Sequence, residues 1–274
     1  MHDVLRSPST RLAFVILAIV AVLTVAGPWL APQDPLAQNP YALLHAPSAA
    51  HWLGTDAFGR DVLSRLLAGS TVSILAGLFS VVIGAILGVV PGLLSVFMGK
   101  RAEWLSLRFI DALMMLPFLV FAIALTAMLG NGLAQAMFAV GILITPHFFR
   151  VSRAAALSVA NADYIVAARL MGASTPAIIT RHVVGKVLPA VAVTTATMMG
   201  VCLSIVASLT FLGIGVVPPN PTWGGLLATD FSTLYEQPYG PLAPGFLIVG
   251  TVWALNAIAD GMRDLKLDRR RTPA

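Results

Sequence analysis

Few side chains in this sequence are placed to do chemistry. His147 and His182 stand alone, with no second ligand at metal spacing, so no metal site is assigned. The single cysteine, Cys202, lies in an apolar run and can form neither an internal disulfide nor a zinc cluster. Serines, histidines and aspartates are scattered without the nucleophile, base and orienting group that a catalytic centre needs. Gly99-Lys100 lacks both the upstream glycine and the following hydroxyl of a phosphate-binding loop, so nucleotide chemistry is not expected in this chain. Asp111 and Asp260 are the acids nearest to hydrocarbon, and Arg108 and Arg263 lie within a turn of them. Structural ion pairs are the plainer reading, ahead of proton coupling.

What stands out instead is a polar segment, Arg150 to Lys186, set between two strongly apolar stretches. Its local signals predict two helices with a tight turn. Asn161 is the expected cap of the first, and Asp163 in the first turn suits the positive end of the helix dipole. Ala167, Ala168, Arg169, Leu170 and Met171 are good helix formers, and Gly172 is placed to close the helix in the left-handed conformation. Thr175 then caps a second helix, with Pro176 at its first position. Tyr164, Ile165, Ala168 and Met171 recur at helical spacing and form an apolar flank. Periodicity alone fits two uses of that flank, a helix lying on the bilayer or one seated in another protein. The small Ala167-Ala168 surface suits a protein groove. A segment tethered to membrane at both ends is a poor DNA reader, and no nucleic-acid partner is expected.

The rest of the chain must hold this segment, and composition says how. Hydrophobic residues make up 58% of the 274 positions, charged residues 11%, and mean hydropathy is +0.87. A soluble domain carries roughly 25% charged residues, so lipid must solvate much of this chain. The expected fold is an all-α integral membrane protein. Six apolar runs are long enough to cross ~30 Å of hydrocarbon: Leu12 to Leu30, Thr71 to Phe97, Leu105 to Leu129, Leu133 to Phe149, Leu188 to Val217 and Leu242 to Met262. The fourth is short, and the fifth is expected to bend or end in a turn near Gly213 and Gly215. The first reads as an uncleaved anchor rather than a secretory signal, because its apolar core is too long. The segments Ala31 to Leu67 and Pro218 to Pro241 read as ordered outer loops rich in proline, glycine and aromatics.

Six spans put both termini on one side, together with the Met98–Trp104 loop and the polar insert. That side then carries fifteen of the seventeen basic residues, Arg6 among them, and the other side only Arg60 and Arg65. Because lysine and arginine are retained inside, the insert and both termini are expected in the cytoplasm. The excess positive charge of +5 is thus a topology signal. The expected division is an anchor helix with outer loop over 1–70, a transmembrane domain over 71–262 with its docking loop at 150–188, and a basic tail over 263–274.

Within the spans, Gly84, Gly88 and Gly92 repeat every four residues, as do Gly200, Ser204 and Ser208. Both stripes are expected to let helices approach closely. Pro91, Pro117 and Pro146 are expected to kink their spans. Trp52, Trp223 and Trp253 read as outer-interface anchors and Trp104 as an inner one.

Tyr164 to Pro189 resembles the cytoplasmic "EAA" loop of ATP-binding-cassette importer permeases, whose pattern is Glu-Ala-Ala, three variable residues, Gly and a later Leu-Pro. Ala167, Ala168, Gly172, Leu188 and Pro189 carry the likeness. Val166 replaces the Glu, and Val183-Val184-Gly185-Lys186 stands where relatives often have Leu-Pro-Asn. Further segments are similar to the dipeptide, oligopeptide and nickel permeases, C-type subunit. These are His51-Trp52-Leu53-Gly54-Thr55-Asp56 with Gly59-Arg60-Asp61-Val62-Leu63-Ser64-Arg65, then Arg108-Phe109-Ile110-Asp111 with Leu116-Pro117. They continue with Leu209-Thr210-Phe211-Leu212-Gly213-Ile214-Gly215, Pro218-Pro219 and Trp223-Gly224, and end with Asn256 and Asp260-Gly261-Met262-Arg263-Asp264.

The resemblance implies a type I importer permease fold with a cytoplasmic coupling helix, in a bacterial inner membrane. It implies a non-catalytic subunit that forms half of the pore as a heterodimer with a related permease. Two ATPase subunits would hold ATP and Mg, leaving this chain without a cofactor, and an external binding protein would deliver substrate. By the same resemblance Tyr164, Ile165, Val166, Ala167, Ala168, Arg169, Met171, Gly172, Ala173 and Ser174 would meet the ATPase. Dipeptides or oligopeptides are the expected cargo, with nickel or another small solute as the alternative. A secondary transporter would show paired charges or broken helices at midmembrane, and a membrane enzyme an acid–base pair; neither pattern is evident in the sequence.

Overall fold

A computed structural model describes residues 7–216 and 218–271, with backbone alone for 265–271. Arg6, the expected fifth-span end at Val217, residues 1–6 of the expected first domain and 272–274 of the tail lie outside the described residues. No strand forms among these; a lone bridge pairs Thr55 with Asp61. Helices follow in order as α1 (Pro8–Leu30), α2 (Val62–Ser95), α3 (Lys100–Met114), α4 (Phe118–Leu129), α5 (Leu133–Ala160), α6 (Asp163–Leu170) and α7 (Thr175–Ile178). A π-helical turn, Ile179–Val183, leads into α8 (Val184–Phe211), followed by α9 (Trp223–Ser232) and α10 (Leu242–Arg271). Five of the described helical segments are long and apolar enough to cross a membrane, or six if α3 and α4 count as one broken span.

The expected third span is the one that changes most. It is not a single helix from Leu105 to Leu129, because α3 and α4 meet at 95°. Pro117 has no N–H to continue the ladder and biases the preceding residue away from helix, and its own backbone is extended. α3 also carries Lys100, Arg101, Glu103, Arg108 and Asp111, too much charge for hydrocarbon, while α4 alone reaches only about 18 Å. Most other boundaries shift outward: α1 starts at Pro8, α5 runs on to Ala160, and the fifth span begins earlier, at Thr175, though it also ends earlier, at Phe211. Gly213 and Gly215 follow it at φ +75° and +92° and turn the chain. Both expected outer loops contain helix, since α2 begins at Val62 and α9 occupies Trp223–Ser232.

α2 and α5 form the most extensive helix pair, with α8 packed against both and α1 and α10 flanking them. The glycines of α2 set this spacing. A Cβ at Gly84 would meet Ile144, at Gly88 it would stand 2.6 Å from Phe148 Cβ and from Thr145 O, and at Gly92 it would strike Ser152 Oγ. On α8 the geometry is looser. A Cβ at Gly200 would lie at an ordinary 3.6 Å from Asn256 and Val252 of α10, Ser204 and Ser208 donate to carbonyls four residues back in their own helix, and Ser208 is exposed. Around the α2–α5–α8 contact sits a core of Val81, Val140, Ile144, Phe148, Cys202 and Leu209.

At the end of the bundle where α2 starts, polar side chains build a compact cap. Asp61 accepts from Ser64 N at 2.8 Å, Ser64 Oγ at 2.6 Å and His51 Nδ1 at 2.9 Å, so it caps α2 and ties the preceding loop to it. Asp56 accepts from Arg60 Nε at 2.7 Å and from the backbone N–H groups of Phe58 and Arg60. Trp223 is fully buried here rather than an interface anchor: its indole Nε1 donates to Leu66 O at 3.2 Å, and its backbone N–H donates to Ser73 Oγ at 2.9 Å. Trp52, Trp104 and Trp253 remain exposed.

Candidate functional site

At the opposite end of the bundle, α5 runs past the core and turns at Asn161 into α6. Asn161 ends α5, and the cap of α6 is Ala162, one residue later than expected. Without a side-chain cap, the start of α6 relies on Asp163 in its first turn and on backbone bonds from Ile165 and Val166 to Ala162 O. Its exit is more tightly specified. Gly172 takes φ +84°, its N–H donates to Arg169 O, and Ala173 N–H donates to Ala168 O, both at 3.0 Å. These two bonds are the Schellman pattern, which satisfies carbonyls the helix end would otherwise leave open. The next cap is Ser174 and not Thr175, so Thr175 and Pro176 fill the first two helical positions, where a missing N–H costs nothing.

Burial divides the flank expected from Tyr164, Ile165, Ala168 and Met171. Ile165 is 0% and Ala168 6% exposed; both pack into a second core with Leu93 of α2, Ala156 of α5, Ile178 of α7, and Val183 and Val187 beyond it. Ala173 is half-buried against the same cluster. The expected Ala167-Ala168 surface is therefore half of what it was: Ala168 is turned inward and seats α6, and only Ala167 faces out. Small Ala168 suits that role, since a larger side chain would lift the helix off α5 and α7.

The outward face carries Tyr164, Val166, Ala167, Arg169, Leu170, Met171, Gly172 and Ser174. Leu170 and Met171 are more than 80% exposed, an unusual position for two large apolar side chains at a loop end. Sequence reasoning passed over Leu170, although it sits one turn after Val166 on the same helical face. Charged residues frame the patch. Arg169 lies over the Phe97 ring at 5.9 Å, Tyr164 meets the ring of His182 at 6.1 Å, and Arg181 and Lys186 are exposed farther along. The π-helical turn at Ile179–Val183 inserts an extra residue between α7 and α8, which brings both Ile178 and Val183 inward beneath α6.

Two ion pairs brace the same end. Arg150 donates to Asp111 at 2.9 Å and Arg153 to Glu103 at 2.5 Å, linking α5 to α3. Arg108 was the expected partner of Asp111 but lies over the Trp104 ring instead. Asp260 and Arg263 pair at 2.9 Å as expected. No group of three metal-ligating side chains occurs among the described residues. What this end offers is a largely apolar surface on a short helix whose inner face is seated on α2, α5, α7 and α8.

Residues 80–272 match the family described as binding-protein-dependent transport system inner membrane component. The chain belongs to this family. Among curated relatives, it is 38% identical to the probable D,D-dipeptide transport system permease protein DdpC of Escherichia coli (strain K12), over 94% of this chain and 87% of that one. It is 38% identical to the di/tripeptide transport system permease protein DppC of Pseudomonas aeruginosa (strain UCBPP-PA14), over 92% and 85%. A glutathione transport system permease protein, GsiD of Pectobacterium atrosepticum, is 38% identical over 81% and 74%. Among solved structures, a chain of the MetNI methionine ABC transporter in an inward-facing conformation superposes with a TM-score of 0.59 at 16% identity, covering 76% of this chain and 97% of that one. The fold is the type I importer permease fold, and the protein is a multi-pass permease subunit of an inner-membrane ABC importer.

Proposed function

We propose that this permease moves short peptides and that α6 is the helix through which an ATPase subunit drives it. The observation that carries the reading is the division of α6 into an inward face, Ile165 and Ala168, locked into the bundle, and an outward face with Leu170 and Met171 bare. Force applied to such a helix passes into α2, α5 and α8, because their side chains contribute to the seat and the Schellman turn leaves little slack. Peptide cargo follows from the names of the relatives, which include dipeptide, di/tripeptide and glutathione permeases. The basic side of the bundle, with α6 and both termini, faces the cytoplasm. Residues 1–70 serve as anchor and outer loop, 71–262 as the pore-forming domain and 263–274 as a basic tail. A related permease completes the pore, two ATPase subunits hold ATP and Mg, and an external binding protein delivers the peptide.

Val166 occupies the place of the motif acid and is half exposed on the docking face. Docking here rests on shape and apolar contact, so raising salt from ~0.1 to ~1 M should weaken the complex little. The double substitution Leu170→Glu, Met171→Glu adds two charges to the patch without touching the seat. It should lower ATPase co-purification and ATP-driven peptide uptake in proteoliposomes by tenfold or more, since each carboxylate must lose water to enter an apolar groove. Full uptake by that variant, or uptake by the isolated chain without ATP, overturns the reading.

A further inference from the structure

The other end of the bundle holds a feature that docking to an ATPase does not use. A cleft of about 580 Å³ opens between the loop before α2, the turn after α8 and α9. That volume lies within the roughly 300–1,000 Å³ of small-molecule sites. Two arginines form part of its wall, Arg60 and Arg65, each only 5–6% exposed. Among the described residues no carboxylate lines it. One acid stands behind both arginines: Asp56 takes Arg60 Nε at 2.7 Å, and Arg65 Nε approaches the same oxygen at 3.5 Å without a directed hydrogen bond. Arg65 Nη1 donates to Pro35 O and Pro219 O, which fixes its plane across the cleft.

The guanidinium of Arg60 is held differently. Its Nε is used and its plane rests on the Phe58 ring at 4.6 Å, while neither Nη has a hydrogen-bond partner among the described residues. Two N–H-bearing nitrogens at one edge of a buried, oriented guanidinium are the donor set for a carboxylate. The side-chain amides of Gln38 and Asn220 line the same cleft, likewise without partners among the described residues. Phe58 and Phe211 add apolar wall beside them.

We propose that this cleft binds the carboxylate of a short peptide, with Arg60 as the principal donor, Gln38 and Asn220 beside it and the aromatic wall taking the side chains. The inference rests on the peptide-importer reading and names a place where cargo is held before the bundle opens. Asp56 serves as a positioning residue, because it orients Arg60 from behind and leaves its outer edge free.

The test uses the purified full-length chain in nanodiscs, with dialanine, dialanine amide and acetate as probes, followed by ligand-observed NMR. Dialanine should bind, and the amide, which lacks the anion, should bind on the order of tenfold or more weakly, as expected for loss of a charge-assisted hydrogen bond. Arg60→Gln should reduce dialanine binding to the amide level. Since that variant also strips Asp56 of its partner and can misfold, Gln38→Ala with Asn220→Ala provides a second probe that leaves the buried charges alone; it should weaken dialanine severalfold. Equal binding of acid and amide, or no binding of either, overturns the site. Acetate binding as tightly as dialanine overturns the peptide assignment. Unchanged dialanine binding by Arg60→Gln, with weakened capture of the external binding protein, overturns it in favour of a protein carboxylate. ATPase capture, measured on the same preparations, reports on the importer reading separately, because the two tests share no residue.

Discussion

Replacing Gly88 by alanine adds one methyl group, yet the structure predicts a large loss of stability. That methyl would stand 2.6 Å from Thr145 O and 2.9 Å from Phe149 N, both backbone atoms of α5, and 2.6 Å from Phe148 Cβ. Ordinary contact begins near 3.4 Å, so α2 and α5 would have to separate locally by roughly 0.8 Å. No side chain can rotate to absorb this, because two of the three obstacles are main chain and the third is a Cβ. Overpacking of this kind costs about 1–3 kcal/mol, and opening a helix pair this extensive puts the expected value at about 2–3 kcal/mol. For a chain of this size the apparent Tm should fall by roughly 5–10 °C. Gly185→Ala is the matched control. It lies within α8 with nothing within 4 Å of the added methyl, so the better helix propensity of alanine should add about 0.5–1 kcal/mol and raise Tm. Intrinsic tryptophan fluorescence during heating in detergent reads both variants. A Gly88→Ala protein as stable as the parent, or shifts of the same sign and size in both variants, would refute the close-packing argument.

Burial, reinforced by the charge of Asp56 and opposed by Arg65, pushes the Asp230 carboxyl up to about 6. The folded chain therefore holds this proton more tightly than the unfolded chain does, so the group's contribution is most favourable below pH 3.8 and is lost as pH rises through about 6. Between pH 5 and 7.5 the wild type should lose roughly 1 kcal/mol relative to Asp230→Asn, read as a widening Tm gap; a gap that stays constant with pH would count against it. Trp223→Phe removes the indole bond to Leu66 O and leaves a small void, for about 1–2 kcal/mol, whereas Trp253→Phe at a partly exposed site should stay within about 0.5 kcal/mol. Chemical denaturation of the two variants side by side checks that contrast.

Much of the bundle was legible because its signals are one-dimensional. Apolar runs of span length, the four-residue glycine spacing on α2 and the Gly172 stop each follow from local sequence. What was misread depended on partners far along the chain. Ala168 looks like surface until Ile178 and Val183 are brought beneath it by the π-helical turn. Trp223 reads as an interface aromatic until Leu66 O and Ser73 Oγ are seen to accept its two hydrogen bonds. The break at Pro117 was visible as a kink, but hydropathy averaging hid five charges in α3 and so joined an amphipathic helix to an apolar one. Asp111 was given its nearest basic residue in sequence, whereas the pair forms with Arg150 on another helix. On α6, periodicity identifies an apolar flank without saying which part of it faces the chain's own core, so Ile165 and Ala168 turn inward while Leu170 and Met171 stand exposed.

The central claim is that the bare face of α6 sits against an ATPase subunit while Ile165 and Ala168 hold it to the bundle. Cys202 is fully buried, so a cysteine introduced at Leu170 is the reactive thiol available to a short bifunctional cross-linker. In membranes containing the complete importer, Leu170→Cys should cross-link to the ATPase subunit in high yield, and Ala168→Cys, buried in the seat, should give little or no product. An ATPase adduct absent from Leu170→Cys but present at the opposite end of the bundle, for example at Tyr41→Cys in the exposed outer loop, would contradict the account.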